Sequence, residues 1–130
     1  MKGVRAKKRL GQHFLDDASA VRRIVDAAAI EADDLVVEIG PGQGALTGTL
    51  LGRGARVVGI ELDRALCVQL QGNCGSRGQL LVLNRDVLRV NLPELIQSEG
   101  FERAVLVGNI PYQITGAILE QILDARVALK

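Results

Sequence analysis

Leu35-Val36-Val37-Glu38-Ile39 runs directly into Gly40-Pro41-Gly42-Gln43-Gly44, and this junction constrains the fold more than any other stretch of the chain. A short apolar run rich in β-branched residues suits a strand buried on both faces, as in a parallel sheet. Glycines at alternate positions let the backbone turn sharply and approach a ligand closely. Ala45 to Arg53 then has a helical composition, with Gly54 as its stop signal. Strand, glycine loop and helix in that order aim the helix's first amides at whatever sits over the loop.

The same alternation continues through the chain. Arg56 to Ile60 forms a second strand ending at Glu61, Leu80 to Leu83 a third leading into Asn84-Arg85-Asp86, and Val105 to Gly108 a fourth. Between and around them lie helical segments. Asp16 to Ile30 carries Val21, Ile24, Val25 and Ala28 on one face, with Asp16, Asp17 or Ser19 to cap its start. Leu62 to Gln71 is helical and Gly72 to Gly78 a loop. Leu92 to Glu99 forms a short helix with Pro93 in its first turn, and Thr115 to Leu129 the last one. Strands alternating with helices imply right-handed βαβ units, a mostly parallel sheet and an α/β fold.

With 130 residues, 48% hydrophobic and 24% charged, the chain is one domain able to bury a core. No apolar stretch reaches membrane-spanning length and no signal-peptide pattern opens the chain, so a cytoplasmic location is expected. Cys67 and Cys74 are too few for a disulfide framework, and no His or Cys cluster surrounds them to bind zinc, so no metal is expected. Charge is uneven. Lys2, Arg5, Lys7, Lys8 and Arg9 crowd the first ten residues without an acid, while the remainder is mildly acidic. Such an arm suits a polyanionic partner, and equally a solvated tail.

In an open parallel sheet, ligands sit beyond the C-terminal ends of the strands. Glu61 ends the second strand there, where a carboxylate can accept both hydroxyls of a ribose. Asp86 follows the third, where it can accept from an adenine amine. Gly40-x-Gly42-x-x-Ala45 with Glu61 satisfies the dinucleotide fingerprint. Glu38-x-Gly40-x-Gly42-x-Gly44 equally suits an S-adenosylmethionine loop. An acid two positions before the first glycine favours the latter, because that cofactor carries an ammonium group and no pyrophosphate.

Asn109-Ile110-Pro111-Tyr112 closes the fourth strand. Pro111 lacks an N–H and holds Ile110 extended, ending the ladder. The Asn109 side-chain carbonyl and the Ile110 backbone carbonyl can then accept from a planar exocyclic amine, with Tyr112 as a stacking face. His13, the single histidine, has the composition of a surface or capping residue.

In this order the chain resembles the KsgA-type ribosomal RNA adenine dimethyltransferases. The likeness rests on Lys8-Arg9-Leu10-Gly11-Gln12-His13-Phe14-Leu15, on Val37 through Thr47, on Ile60-Glu61-Leu62-Asp63, on Asp86, and on Gly108 through Tyr112. The resemblance implies a Rossmann-like S-adenosylmethionine methyltransferase fold, here of about four parallel strands in the order 3-2-1-4. It divides the chain into a basic arm and cofactor-contacting segment, residues 1–15, and the N-terminal half of a methyltransferase domain, residues 16–130. It implies contacts to S-adenosylmethionine from Gln12, His13, Leu15, Glu38, Gly40, Gly42, Glu61, Asp86 and Asn109, and a target-base clamp of Asn109, Ile110, Pro111 and Tyr112. His13 replaces the asparagine common in bacterial members, and both can donate a hydrogen bond.

The implied activity is dimethylation of adenosines in small-subunit ribosomal RNA. Family members are longer, so the chain is expected to be a shortened, cofactor-binding half, and its own turnover is left open. Its fourth strand would lie at a cut edge, most simply covered by the same edge of a second copy in a homodimer. A cofactor-binding module without catalysis and a nicotinamide-dependent oxidoreductase domain are the competing readings.

Overall fold

A computed structural model describes residues 18–76 and 78–108. Within them the elements are α1 (Ala18–Ala27), β1 (Leu35–Ile39), α2 (Ala45–Gly52), β2 (Arg56–Glu61), α3 (Arg64–Cys74), β3 (Leu80–Asn84), a 3-10 turn (Val87–Arg89), α4 (Leu92–Ser98) and β4 (Val105–Gly108). The four strands form one parallel sheet in the order β3-β2-β1-β4.

Side chains alternate between the two faces of this sheet, and each face has its own core. Val36, Val57 and Val105 join Val21 and Val25 of α1, Leu46, Leu50 and Leu51 of α2, and Leu70 and Cys74 of α3. Leu35, Val37, Ile39, Val58 and Ile60 face the other way, onto Val87 and Val90 and onto Leu92 and Ile96 of α4. The result is three layers, with the sheet between two helical ones. Every residue of β1 is buried, which accounts for its unbroken apolar run apart from Glu38.

The strands lie where the sequence places them, and helical boundaries move at α1 and α3. α1 ends at Ala27 rather than Ile30, leaving Ala28 beyond it, because the chain turns at Ala29 with a left-handed φ of +53°. α3 begins at Arg64 rather than Leu62, because the Asp63 carboxylate caps it by accepting from the Ala65 and Leu66 amides at 2.8 and 3.2 Å. It also continues through Gly72 to Cys74, into the segment expected to be a loop. Gly72 lies on the exposed side, and the extra turn lets Cys74 bury its thiol against Gly44. The 3-10 turn has no counterpart in the sequence reading, and Ser19 lies inside α1 rather than before it. The expected caps Asp16 and Asp17 and the helix from Thr115 to Leu129 lie outside the described residues. No helix among those described is long and apolar enough to cross a membrane.

Candidate functional site

Register aligns the C-terminal strand ends along one edge of the sheet. Ile39 pairs with Ile60 and Gly108, Ile60 with Leu83, and Glu61 with Asn84. The loop after β1 therefore opens between the ends of β2 and β4, at the junction where the connections leave in opposite directions.

Local conformation explains the glycines. Gly40, Gly42 and Gly44 have φ of +65°, +58° and +94°, left-handed backbone that residues with a Cβ rarely adopt. Gly44 has a steric need as well, since a Cβ there would lie 2.6 Å from Leu70 Cδ1 and 3.0 Å from Cys74 Sγ. Gly42 faces open space, with nothing within 4 Å of a Cβ built on it. The Gly40 amide donates to the Ile60 carbonyl at 2.9 Å, fastening the loop to β2.

Glu61 completes that fastening. Its Oε1 accepts from the Gly42 amide at 3.3 Å and its Oε2 from the Asp63 amide at 3.0 Å. Each carboxylate oxygen keeps a further lone pair, so the group can still receive hydroxyl donors. Gly42 and Glu61, predicted separately from the sequence, are thus joined directly.

Glu38 sits deeper. It is 2% exposed, and its Oε1 accepts from the Thr47 hydroxyl at 2.5 Å. Burial raises its pKa from the ordinary 4.5 to about 7, the Thr47 hydrogen bond pulling the other way. Among the described residues no cation pairs with it. A buried acid with one spare oxygen suits a ligand that brings its own positive charge. Asp86 stands apart from the Gly42–Glu61 link, its Oδ1 accepting the Leu88 amide at 3.0 Å to start the 3-10 turn.

Three contributors escape the sequence reading. Thr47 enters it only as part of the loop motif, and its place three residues into the helix after Gly44 is the available signal. Leu62, assigned there to the helix, is 70% exposed between Glu61 and Asp63, an apolar surface beside the carboxylate. Asn84 reaches back across the strand ends, donating from Nδ2 to the carbonyls of Glu61 and Leu62 at 3.1 and 2.9 Å. Cys67 also donates to the Glu61 carbonyl, at 3.4 Å. Burial, and then the Glu61 charge, push its thiol pKa up and keep it a neutral thiol. Both cysteines are free. Gln12, His13 and Leu15, and the tetrapeptide Asn109, Ile110, Pro111 and Tyr112, lie outside the described residues.

A parallel sheet in this strand order, with a glycine loop and an acid at adjacent strand ends, defines a Rossmann-like fold of the S-adenosylmethionine-dependent methyltransferase class. Crystal structures of similar architecture include the 23S rRNA methyltransferase ErmE, at TM-score 0.75 and 32% identity over 88% of this chain and 43% of that one. A dimethyladenosine transferase from Plasmodium falciparum matches at TM-score 0.71 and 28% identity, over 86% of this chain and 38% of that one. The chain belongs to the ribosomal RNA adenine dimethylase family, whose model matches residues 3–130. Among curated relatives, ribosomal RNA small subunit methyltransferase A of Synechococcus is 46% identical over 93% of this chain and 43% of its own length. That of Geobacter metallireducens is 40% identical over 95% of this chain and 45% of its own length. The chain thus spans a little under half the length of these relatives.

Proposed function

We propose that this chain is the cofactor-binding half of an S-adenosylmethionine-dependent ribosomal RNA adenine N6,N6-dimethyltransferase, acting on small-subunit ribosomal RNA in the cytoplasm. The observation that carries the reading is the Gly42–Glu61 link in the loop that follows β1, whose Glu38 is buried against Thr47. One cradle thereby offers a hydroxyl-accepting carboxylate and a site for a cation. The two groups suit the two ends of S-adenosylmethionine, a ribose and an ammonium.

When bound, S-adenosylmethionine supplies an electrophilic methyl group. Glu38 holds a proton or a negative charge according to what it faces, and Thr47 fixes its carboxyl by hydrogen bonding. The three glycines keep the loop low enough for a ligand to lie across it. Glu61 accepts from ribose hydroxyls, Leu62 offers apolar surface to a nucleobase, and Asp86 accepts from its amine. Gln12, His13 and Leu15 of the arm, residues 1–15, add further cofactor contacts, and residues 16–130 form the body of the domain.

In this reading β4 delivers the target-base clamp. Gly108 pairs with Ile39, so the next residue in the chain, Asn109, follows directly from the strand end that borders the glycine loop. The carbonyls of Asn109 and Ile110 accept from the adenine amine, Pro111 holds Ile110 extended, and Tyr112 stacks on a base removed from its helix. Catalysis is chiefly positioning, and no general base is needed. Among the described residues β4 is an edge of the sheet, which also supports a homodimer formed through it. Light scattering should show a dimer, and a stable monomer at high concentration would refute that part.

The test is calorimetric titration with S-adenosylhomocysteine beside a nicotinamide dinucleotide, followed by transfer of labelled methyl groups to immature small-subunit particles. Binding of the first ligand alone, with transfer, is the expected result. Binding without transfer would make the chain a cofactor module. Preference for the dinucleotide would refute the reading.

A further inference from the structure

We propose that Asn84 is a positioning residue for the nucleoside half of the pocket, acting through the backbone of Glu61 and Leu62. The inference rests on the cofactor reading above. It starts from an oddity: Asn84 is an exposed side chain that spends both of its N–H bonds on two consecutive carbonyls of the neighbouring strand end. With a carbonyl at each contact, only the amide's donor end fits, so its orientation follows from its partners.

The two carbonyls belong to the turn that aims the site. β2 ends at Glu61 and α3 is capped by Asp63, leaving Leu62 alone to carry the chain between them. On the side-chain side of the turn, Glu61 is fixed by the Gly42 and Asp63 amides. On its carbonyl side, the side chains that fix it among the described residues are Asn84, at both carbonyls, and the weaker Cys67 thiol at one. Without the Asn84 side chain the Leu62 carbonyl loses its side-chain donor and the Glu61 carbonyl keeps only the Cys67 thiol, so the turn loosens. A looser turn lets the backbone that carries the Glu61 carboxylate and the exposed Leu62 side chain shift. The fold has little stake in the side chain: the ladder between β2 and β3 runs from Val57–Leu80 to Glu61–Asn84, and this backbone pairing does not depend on the Asn84 amide group. Removing the clip should therefore disturb binding more than folding.

Titrating S-adenosylhomocysteine and its 2′-deoxy analogue into wild type and Asn84→Ala tests this. The first expected result is that the wild type binds the deoxy ligand on the order of tenfold more weakly, the equivalent of one hydrogen bond to a charged group. In Asn84→Ala the affinity for S-adenosylhomocysteine should fall by about tenfold and the deoxy penalty should shrink to about twofold or less. Asn84→Asp should behave the same way or worse, because it turns a carboxylate onto two carbonyl oxygens. Urea midpoints of both variants should stay close to wild type.

Equal weakening of both ligands with the deoxy penalty intact would overturn the proposal, as would unchanged affinity. A wild type that binds S-adenosylhomocysteine without any deoxy penalty would overturn the Glu61–ribose contact itself. A wild type that binds neither ligand would overturn the cofactor reading and this inference with it.

Discussion

Replacing Glu38 by glutamine should flatten the pH dependence of stability, and the structure sets the size of the effect. The carboxyl is 2% exposed and burial raises its pKa from 4.5 to about 7. Well below pH 4.5 the folded and unfolded chains both hold the proton and the group contributes nothing. Between 4.5 and about 7 the unfolded chain releases it while the folded chain keeps it, so stability falls as pH rises. Above about 7 both states are ionised and the penalty is complete. A tenfold change in proton affinity is worth about 1.4 kcal/mol, so the full loss is about 3 kcal/mol.

The glutamine of the Glu38→Gln variant would keep an acceptor for the Thr47 hydroxyl and carry no titrating proton. Urea unfolding of both proteins at half-unit steps from about pH 4 to 8 measures the difference between them. That difference should move by about 3 kcal/mol in favour of the Glu38→Gln variant as pH rises. Parallel curves would show that Glu38 does not carry a raised pKa in the folded chain. A corollary follows for ligand binding. An ammonium group placed beside Glu38 favours its charged form, so S-adenosylhomocysteine affinity should rise with pH across the same range, with proton release. Calorimetry in buffers of different ionisation enthalpy detects that release, and its absence would remove Glu38 from the site.

Two further outcomes test the ends of the strands. Gly108 has φ +145°, and a Cβ there would run into the Ile39 carbonyl oxygen, an overlap with the neighbouring strand's backbone. Gly108→Ala should therefore cost about 2–4 kcal/mol in urea unfolding, from the strained backbone and the parted strand ends, and a loss below about 1 kcal/mol would refute it. Asn109→Ala should lower turnover much more than S-adenosylhomocysteine affinity, and equal losses would contradict a role at the target amine.

The sheet was legible in the sequence because a parallel strand buried on both faces leaves an unambiguous apolar run, and β1 and β4 begin and end where their runs do. The glycine loop and Glu61 were legible for a similar reason: left-handed backbone needs glycine, and an acid at a strand end has few structural uses. What the sequence leaves open is which atoms meet. The end of α3 is hidden because Gly72 signals a break, yet burial of Cys74 against Gly44 outweighs a weak helix former.

By itself, then, the sequence determined the class of fold, the strand order implied by the family's motifs, and the glycine loop and strand-end acids of the candidate site. Those depend on local backbone needs and on hydrophobic period. Tertiary structure alone decided that Glu38 is buried against Thr47, that Glu61 grips the Gly42 amide, and that Asn84 holds the Glu61–Leu62 turn. Each of these joins residues from different elements, nine to twenty-three positions apart. Such pairings depend on the register and packing of the assembled sheet, which no local pattern records.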